Sequence, residues 1–582
     1  MRYFVSGIFL IMYCLSGCNT PEPMSDKAPI LHDRGVSLAT DKARYAPGEN
    51  VIINITGDIP STQLKIKHLG EIVEELSVTT NSITWLPPQQ DYKGYMVELY
   101  DDSTEDGKLL ATVGIDVSSS WTKFPRYGFL SKFPNLSETQ TEAVIVNLNR
   151  HHINGLQFYD WHYKHHQPLA GSVASPASLW KDIIDRENFR STITQYISQA
   201  HDRNMMTMFY NLVYGALENA SSNGVSSAWY MYVNKSRSGI DKFTLPKPPF
   251  VSDILFIDPS NVAWQNYLNN ENQKVYQAYD FDGYHMDQVG NRDKTLYTYS
   301  GDVIDLPKTF KPFIEAAKEA HPSKSAVMNA VNQYGQESIS QAPVDFLYTE
   351  VWSPNESFKA LAQVIKDNNA MSNFSKNTVL AAYINYDLAA QSGHFNTPSV
   401  LLADAVMFAF GASHLELGEH MLGKEYFPND NLQMKDDLQN ALVHYYDFLV
   451  AYQNLLRDGG SFNTIDVQTD NDELKMEAWP ASNGSIAVIG KEFTDKQLIH
   501  IINFKDATTD QWRDPHGIQA EPKSIADVRV RIPSEKQIKK VWLASPDFNY
   551  GATQELVFDS SGGEISFVLP HLKYWDMIVL EY

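Results

Sequence analysis

The fold of this protein is decided by residues 264–287, which read WQNYLNNENQKVYQAYDFDGYHMD. The pattern predicts a helix over 264–278 and, after an Asp-Gly turn, a short strand over 283–287 that ends on a carboxylate, Asp287. Helices that alternate with buried strands favour a parallel sheet. Side chains at the carboxyl ends of such strands carry the chemistry in α/β barrels.

The same alternation continues on both sides of this stretch. Eight strands with intervening helices are predicted, at 127–130, 155–159, 205–210, 283–287, 326–329, 346–348, 379–384 and 413–416. Eight strands over about 330 residues fit one barrel with loop insertions. The predicted fold class is therefore multidomain, with a central catalytic (β/α)8 TIM barrel at 121–458.

Short alternating strands flank the predicted barrel. On the amino-terminal side, an alternating run from Val51 to Ile55 is followed by similar runs, which predicts an immunoglobulin-like β-sandwich at 36–118. On the carboxyl-terminal side, a last amphipathic helix is stopped by two glycines and the β pattern returns. This predicts an antiparallel β-sandwich at 461–582.

The first residues have the features of a bacterial export signal. Arg2 precedes an apolar run too short to cross a bilayer, and the run ends in the lipobox LSGC at 15–18. The sequence predicts a lipoprotein signal peptide at 1–17, lipid attachment at Cys18 and a tether at 18–35. We therefore expect a lipid-anchored protein of the bacterial cell envelope, at the outer membrane. The sequence leaves open whether the anchored protein faces the cell surface or the periplasm.

Charge and cysteine content exclude several functions. The net charge of −23 would repel a phosphate backbone, so we expect no nucleic-acid partner, whereas an uncharged glucan is indifferent to it. The two cysteines are Cys14, which leaves with the signal, and Cys18, so the mature chain has no thiol chemistry. We expect a monomer without a cofactor that meets the membrane only through its lipid. A structural calcium ion is left open, although no stretch matches an EF-hand.

Polar and aromatic side chains gather at the predicted strand ends. Parallel barrel strands present their carboxyl ends at one face, so these side chains are expected to converge on one cleft. The candidates are Asp160, Trp161, His162, Asn211, Asp287, Asn329, Glu350, Trp352, Asn385 and Glu416. Carboxylates beside aromatic rings are typical of a glycosidase cleft. The histidines at 162, 165 and 166 lack the spacing of a zinc site, so no metal is predicted.

Two of these carboxylates, Asp287 and Glu350, are the favoured catalytic pair. Glycoside hydrolysis needs one anionic carboxylate at the anomeric carbon and one carboxylic acid with a raised pKa that donates a proton. Asp160, Glu416 and the other candidates are assigned to substrate binding. A pair about 5 Å apart would retain the anomeric configuration and a wider pair would invert it. The residues alone leave this open.

Five ordered motifs resemble glycoside hydrolase family 66, the dextranases. They are WTKFPRYGFL (121–130), YDW (159–161) with two histidines at 165–166, DGYHMD (282–287), YTEVW (348–352) and HLELGE (414–419), and the likeness covers roughly 36–582. The resemblance implies a retaining endo-dextranase that cuts internal α-1,6 linkages of dextran to isomaltooligosaccharides. It also implies Asp287 as nucleophile and Glu350 as acid/base. His285-Met286 departs from other members, which leaves substrate fine-tuning open.

Two alternatives to dextran hydrolysis stay open. The family also contains cycloisomaltooligosaccharide glucanotransferases, which carry an extra carbohydrate-binding module within the catalytic region. Glu350 and Glu419 lie too close in sequence to hold such a module, which favours hydrolysis. The other alternative is a non-catalytic glucan-binding surface lipoprotein, and the presence of both carboxylates argues against it.

Overall fold

The computed structural model describes residues 35–58, 62–101, 107–480 and 482–582. The predicted signal peptide, Cys18 and the tether up to residue 34 lie outside the described residues, so the lipid anchor stays a prediction. Within the described ranges, no helix combines the length and the apolar character needed to cross a membrane.

The amino-terminal region consists of seven strands in two antiparallel sheets. The strands are β1 (Ser37–Thr40), β2 (Val51–Thr56), β3 (Thr62–His68), β4 (Glu71–Val78), β5 (Ser82–Trp85), β6 (Lys93–Asp101) and β7 (Lys108–Val117). The sheet orders are β1-β2-β5 and β4-β3-β6-β7. Buried and exposed residues alternate along β2, as expected for a strand with one face on a core. That core includes Leu38, Ile53, Trp85 and Val97 from both sheets.

The central region alternates strands and helices. Its main elements are β8 (Tyr127–Leu130), α1 (Glu138–Arg150), β9 (Gly155–Phe158), α2 (Arg190–His201), β12 (Met206–Leu212), α3 (Val262–Ala278), β16 (Gly283–Asp287), α4 (Leu306–Ala320), β19 (Ser325–Met328), α5 (Gln336–Ser340), β20 (Leu347–Glu350), α6 (Phe358–Met371), β21 (Thr378–Ala381), α7 (Thr397–Ala409), β23 (Ser413–His414), α8 (Asp436–Ala451) and α9 (Gln453–Leu456).

Short strands lie in the long loops of this region. They are β10 (Leu179–Lys181), β11 (Glu187–Phe189), β13 (Gly215–Leu217), β14 (Lys242–Phe243), β15 (Ile254–Phe256), β17 (Leu296–Tyr297), β18 (Val303–Ile304), β22 (Gly393–His394) and β24 (Leu432–Gln433). Most of them form small antiparallel pairs, so the insertions have their own local order.

Eight of the central strands are parallel to their neighbours. They form a five-stranded sheet in the order β19-β16-β12-β9-β8 and a three-stranded sheet in the order β20-β21-β23. A parallel bridge between Asn329 and Tyr348 joins the two sheets at one edge. At the other edge, the Phe129 amide donates to the Leu417 carbonyl (3.1 Å). Polar side chains after these strands therefore lie at a common end.

The carboxyl-terminal region is again antiparallel for most of its pairs. Its strands are β25 (Ser461–Asn463), β26 (Gln468–Thr469), β27 (Met476–Ala478), β28 (Ile486–Glu492), β29 (Lys496–Asn503), β30 (Ile525–Pro533), β31 (Lys540–Ala544), β32 (Gln554–Glu555), β33 (Phe558–Ser561), β34 (Glu564–Leu572) and β35 (Trp575–Glu581). A seven-stranded sheet has β35 between β29 and β31, and a second sheet has the order β26-β30-β34-β33.

Separate hydrophobic cores make the chain multidomain. The two carboxyl-terminal sheets share a core that includes Ile499, Val530 and Leu580, distinct from the amino-terminal core.

Helix α7 shows how the regions pack together. All of its residues except Pro398 are buried, because α6, α8 and β23 cover parts of its surface and β29 of the carboxyl-terminal sheet contacts it as well.

Candidate active site

Asp287 is the last residue of β16, and both of its oxygens are held by neighbouring elements. The Tyr210 hydroxyl on β12 donates to Oδ2 (2.6 Å), and the Asn329 amide after β19 donates to Oδ1 (2.9 Å). Strands β12 and β19 flank β16 in the sheet. The two strands paired with β16 therefore each supply, near or just beyond their ends, one donor that holds the carboxylate in place.

Glu350 ends β20 and faces the same amide. The Asn329 amide nitrogen also donates to Glu350 Oε2 (3.1 Å), and the Tyr383 hydroxyl donates to Oε1 (2.7 Å). One nitrogen therefore bridges both carboxyl groups. Because Asp287 Oδ1 and Glu350 Oε2 lie 2.9 and 3.1 Å from the same atom, they are at most about 6 Å apart. Asn329, assigned to substrate binding in the sequence, is the link between the two acids.

The two carboxyl groups differ in their electrostatics. Burial raises the pKa of Asp287, and hydrogen bonds from Tyr210 and Asn329 oppose this by stabilising the anion. Burial, followed by the charge of Asp287, raises the pKa of Glu350 to about 7. Both groups accept two side-chain hydrogen bonds, but the pKa of Glu350 is raised by the charge of Asp287 as well as by burial, so Glu350 is the group suited to hold a proton near neutral pH.

Aromatic rings surround the pair. The partly exposed Trp352 ring lies 5.4 Å from Tyr383 and 5.7 Å from Tyr386, and the Tyr386 hydroxyl donates to Glu425 (2.8 Å). On the opposite side, Tyr159 packs against Tyr210 at 4.9 Å. Rings of this kind offer apolar faces to sugar rings beside polar groups for hydroxyls.

Asp160 lies beside this site, as its position after β9 predicted. Its backbone has a left-handed conformation (φ 48°), which is uncommon for a non-glycine residue and is often found at functional sites. Burial raises the pKa of Asp160 to about 7, with Arg186 opposing the shift and Asp287 among the charges that add to it. The charges of Asp160 and Asp287 therefore lie near enough to influence each other.

Besides Asn329, five residues assigned to sugar binding are buried, and the structure corrects those five assignments. Trp161 is fully buried, its indole N–H donates to the Tyr210 carbonyl (3.2 Å), and it packs on Trp180, so no ring face is open to a sugar. Asn211 is fully buried and donates to the His165 carbonyl (2.8 Å). The loop after β9 folds over both side chains and satisfies them.

Asn385 and Glu416 are two further members of this buried set. The Asn385 amide donates to the Asp514 carbonyl (2.9 Å), and its oxygen accepts from the Asn396 amide (2.8 Å). Glu416 accepts from the Tyr446 hydroxyl (2.9 Å) and lies 3.3 Å from His414. Both are structural supports behind the site.

His162 is also buried and lies near Tyr210 of the site. Its ring lies 4.5 Å from His165 and 6.1 Å from Tyr210. Burial lowers its pKa well below the usual value, so it is neutral. It supports Tyr210 from behind and presents no open surface to a sugar.

One buried cluster has the donor set of a cation site. Ligand atoms of Asp404, His414 and Glu416 lie within 4.8 Å of one another. His414 Nδ1 is 2.8 Å from Asp404, and its other nitrogen contacts the Ala382 carbonyl (2.8 Å). Burial opposes protonation, but the charges of Glu416 and Asp404 raise the pKa of His414 to about 10. A protonated imidazole that is hydrogen-bonded to Asp404 and lies 3.3 Å from Glu416 accounts for the arrangement.

Two functional side chains were missed in the sequence, Tyr210 and Tyr383. Tyr210 is the last residue of the predicted strand 205–210 and Tyr383 lies within the predicted strand 379–384, whereas the site residues predicted there, Asn211 and Asn385, follow those strands. Strand β12 continues to Leu212, and side chains alternate between the faces of a strand. The alternation therefore places Tyr210 toward Asp287 and turns Asn211 away.

Tyr383→Phe should shift the pH dependence of the reaction. The Tyr383 hydrogen bond lowers the pKa of Glu350 by stabilising its anion, so its loss raises that pKa. We expect the alkaline limb of kcat/KM to move up by roughly one pH unit and kcat to fall about tenfold. The control is Tyr267→Phe on α3, which removes a hydroxyl that donates to the Asn223 carbonyl (3.0 Å). An unmoved alkaline limb in Tyr383→Phe would contradict the role given to this hydroxyl.

A close pair of buried carboxyl groups, one with its pKa raised to about 7, at the carboxyl ends of parallel strands and beside aromatic rings, is the arrangement of a glycoside hydrolase. The sequence pattern described as "Glycosyl hydrolase family 66" matches residues 40–579, and the chain belongs to this family.

Relatives within the family have two named activities. A cycloisomaltooligosaccharide glucanotransferase from Niallia circulans is 29% identical and aligns with 98% of this chain and 74% of its own. A dextranase from Streptococcus salivarius is 23% identical, over 90% of this chain and 73% of its own. A crystal structure of a Paenibacillus sp. cycloisomaltooligosaccharide glucanotransferase with cycloisomaltoheptaose superposes with a TM-score of 0.85 at 26% identity, covering 94% of this chain and 100% of that one.

Proposed function

We propose that this protein is an endo-acting, retaining dextranase that cleaves internal α-1,6-glucosidic linkages of dextran to isomaltooligosaccharides. The observation that carries the proposal is the Asn329 amide that donates to both Asp287 and Glu350. It limits the separation of the nearest oxygens to about 6 Å, below the roughly 6.5–9.5 Å of inverting pairs. This short separation supports a retaining mechanism, in which the second carboxylate attacks the sugar directly.

The proposed reaction has two steps. Asp287 attacks the anomeric carbon while the glycosidic C–O bond breaks, and Glu350 gives its proton to the departing oxygen. The products of this step are a shortened glucan and a glycosyl ester on Asp287. Glu350, now an anion, takes a proton from water as the water attacks the same carbon and releases Asp287. A pKa of about 7 suits Glu350 to both tasks.

The proposed scaffold is a closed (β/α)8 barrel over 121–458, between an immunoglobulin-like sandwich at 36–118 and a carboxyl-terminal sandwich at 461–582. Contacts between the two parallel sheets support closure. The His285 ring of β16 lies 4.9 Å from Tyr348 of β20 and 5.8 Å from Tyr127 of β8. Side chains of strands from both sheets also share one core, including Met208, Val327 and Val379.

The proposed substrate contacts are the partly exposed residues around the pair. Asp160 and Trp352 keep the roles expected from the sequence, with Asp160 toward sugar hydroxyls and Trp352 as a stacking ring. An uncharged polymer suits a chain whose net charge is −23, because that field neither attracts nor repels it.

The second candidate function is cyclisation of isomaltooligosaccharides, which the named relatives support as directly as they support dextran hydrolysis. In that reaction the hydroxyl at the far end of the glucan replaces water in the second step. The segment from Glu350 to Glu419 supports hydrolysis, because its α-helices and strands are α6, β21, the two-residue β22, α7 and β23, and it holds no additional module.

Product analysis separates the two functions. The purified protein is incubated with dextran, and products are followed by reducing-end assay, chromatography and mass spectrometry. We expect mid-sized linear fragments early, new reducing ends, and the α-anomer as first product by NMR. Cyclic products, which lack a reducing end and weigh one water less, would assign the glucanotransferase reaction. β-Anomers would overturn retention.

We also propose that the protein is anchored at the outer membrane by a lipid on Cys18, following its lipobox. Labelling of growing cells with a radioactive fatty acid, compared between wild type and Cys18→Ala, tests this. An unlabelled wild-type protein would overturn the anchor without affecting the proposed chemistry.

A further inference from the structure

A loop of the carboxyl-terminal region reaches the catalytic centre. The chain between β29 and β30 leaves the carboxyl-terminal sheets and pairs with the segment that follows β20 and β21. The Phe358 amide donates to the Asp510 carbonyl (2.9 Å), the Asn385 amide to the Arg513 carbonyl (2.8 Å), and the Asp387 amide to the Pro515 carbonyl (3.1 Å). These backbone bonds fix the loop against the strand ends that carry Glu350 and Tyr383.

Arg513 of this loop inserts its guanidinium between those two strand ends. Nη2 donates to the Val351 carbonyl (2.7 Å), and Nη1 donates to the Tyr383 carbonyl (3.3 Å). Val351 directly follows Glu350, and Tyr383 donates the hydrogen bond to Glu350 Oε1. One side chain therefore holds the backbone of the acid and the backbone of its hydrogen-bond donor.

Aromatic rings surround the same guanidinium. Its carbon lies 4.8 Å from the centre of the Trp352 ring, 5.3 Å from Tyr386 and 4.7 Å from Trp512. Such contacts stabilise a cation at about 0.5–2 kcal/mol each when it is removed from water. Arg513 thereby also supports Trp352, the proposed stacking ring.

The chemistry of this position calls for arginine. The side chain is 9% exposed, and no ion pair of Arg513 occurs within the described ranges. Burial lowers its pKa, yet a guanidinium starts so high that it stays charged. A planar fork with several donors can bond two carbonyls on adjacent strands and stack on rings at once, whereas a lysine ammonium is a single point charge.

We propose that Arg513 is a positioning residue for Glu350, through which the carboxyl-terminal region sets the geometry of the acid/base. This inference rests on the proposed role of Glu350. Arg513 does not touch the reacting atoms. It holds the distance between the Glu350 carboxyl and the Tyr383 hydroxyl by fixing both backbones, so its loss should impair proton transfer more than nucleophilic attack.

The test compares Arg513→Met and Arg513→Lys on two substrates. Dextran has a poor leaving group that needs protonation, whereas a nitrophenyl isomaltooligoside departs with little help from an acid. For Arg513→Met we expect kcat on dextran to fall about 100-fold, since small displacements of catalytic groups have effects of this size. We expect first-turnover nitrophenol release to fall less than about fivefold on the same reasoning. The alkaline limb should move upward, as in Tyr383→Phe, and Arg513→Lys should be intermediate.

Two controls make the outcome decisive. Ser399→Ala removes a hydrogen bond that anchors the same loop through Asp514 (2.6 Å) without touching the guanidinium, and it should stay within about twofold of wild type. Circular dichroism and melting curves confirm folding. If the methionine variant is unstable, the lysine variant carries the test, because it keeps a charge and loses the two-carbonyl fork.

The results separate the inference from the proposed function. Equal losses on both substrates with an unmoved pH profile, or no loss at all, would overturn the role of Arg513. Glu350→Gln, assayed beside it, tests the role of Glu350. If Glu350→Gln hydrolyses dextran as fast as wild type, the proposed function is wrong. If Glu350→Gln is inactive while the Arg513 variants have normal activity, only the inference about Arg513 is wrong.

Discussion

Asp287→Asn is expected to lower kcat for dextran by roughly 10⁴-fold or more while leaving the fold intact. An amide carries no negative charge and cannot form the glycosyl ester. It has nearly the same shape as the carboxylate, its oxygen can still accept from the Asn329 amide, and its nitrogen can donate to the Tyr210 hydroxyl oxygen, so the surrounding strands keep their packing. KM should change little, because Asp287 acts mainly on the transition state.

The measurement for Asp287 combines kinetics with covalent labelling. Wild type treated with an activated fluoroglycoside should accumulate a glycosyl ester on the peptide that contains Asp287. The control is Asp293→Asn, an exposed position six residues further along, which should hydrolyse dextran normally. A label on another residue, or hydrolysis by Asp287→Asn at a rate near that of wild type, would show that the nucleophile lies elsewhere.

Glu350→Gln is expected to lower kcat/KM for dextran by about 10²–10⁴-fold, the range for loss of a general acid. In wild type the acid form is required, and the pKa of Glu350 is about 7, so activity should fall as pH rises through about 7. The glutamine variant has no group to titrate there, and this alkaline limb should disappear from its profile.

Substrate and nucleophile dependence distinguish Glu350 from a merely structural residue. Glu350→Gln should still release the leaving group of a nitrophenyl isomaltooligoside in a first turnover, because little protonation is needed. The second step then stalls without a base, and azide, which needs no deprotonation, should restore turnover as a glycosyl azide. An alkaline limb that persists in Glu350→Gln would assign the acid to another group, with Asp160 the first to examine.

The positions of both carboxylates were predictable because they depend on short-range pattern. Asp287 and Glu350 each end a strand that follows a predicted helix or loop, and parallel strands present such ends at one face. The family prediction is confirmed by the match over 40–579. The multidomain order of β, alternating and β regions also follows from local periodicity.

The supporting residues were not predictable, because they depend on which side of a strand faces the cleft. The predicted strand 379–384 ends as a strand at Ala381, and Asn385 adopts a left-handed backbone that turns it behind the site. Trp161 is enclosed by a loop whose path no local pattern reveals. Arg513 lies about 160 residues beyond Glu350, and only tertiary packing brings the two together.

The position of β35 sets the order in which this enzyme becomes complete. Residues Trp575–Glu581 form an interior strand, with seven residues paired to β29 and five to β31. Until those residues have been synthesised, the sheet has an empty place at its centre, and the Arg513 loop extends from a region that has not closed. A nascent chain can thus contain Asp287 and Glu350 long before it has a working cleft.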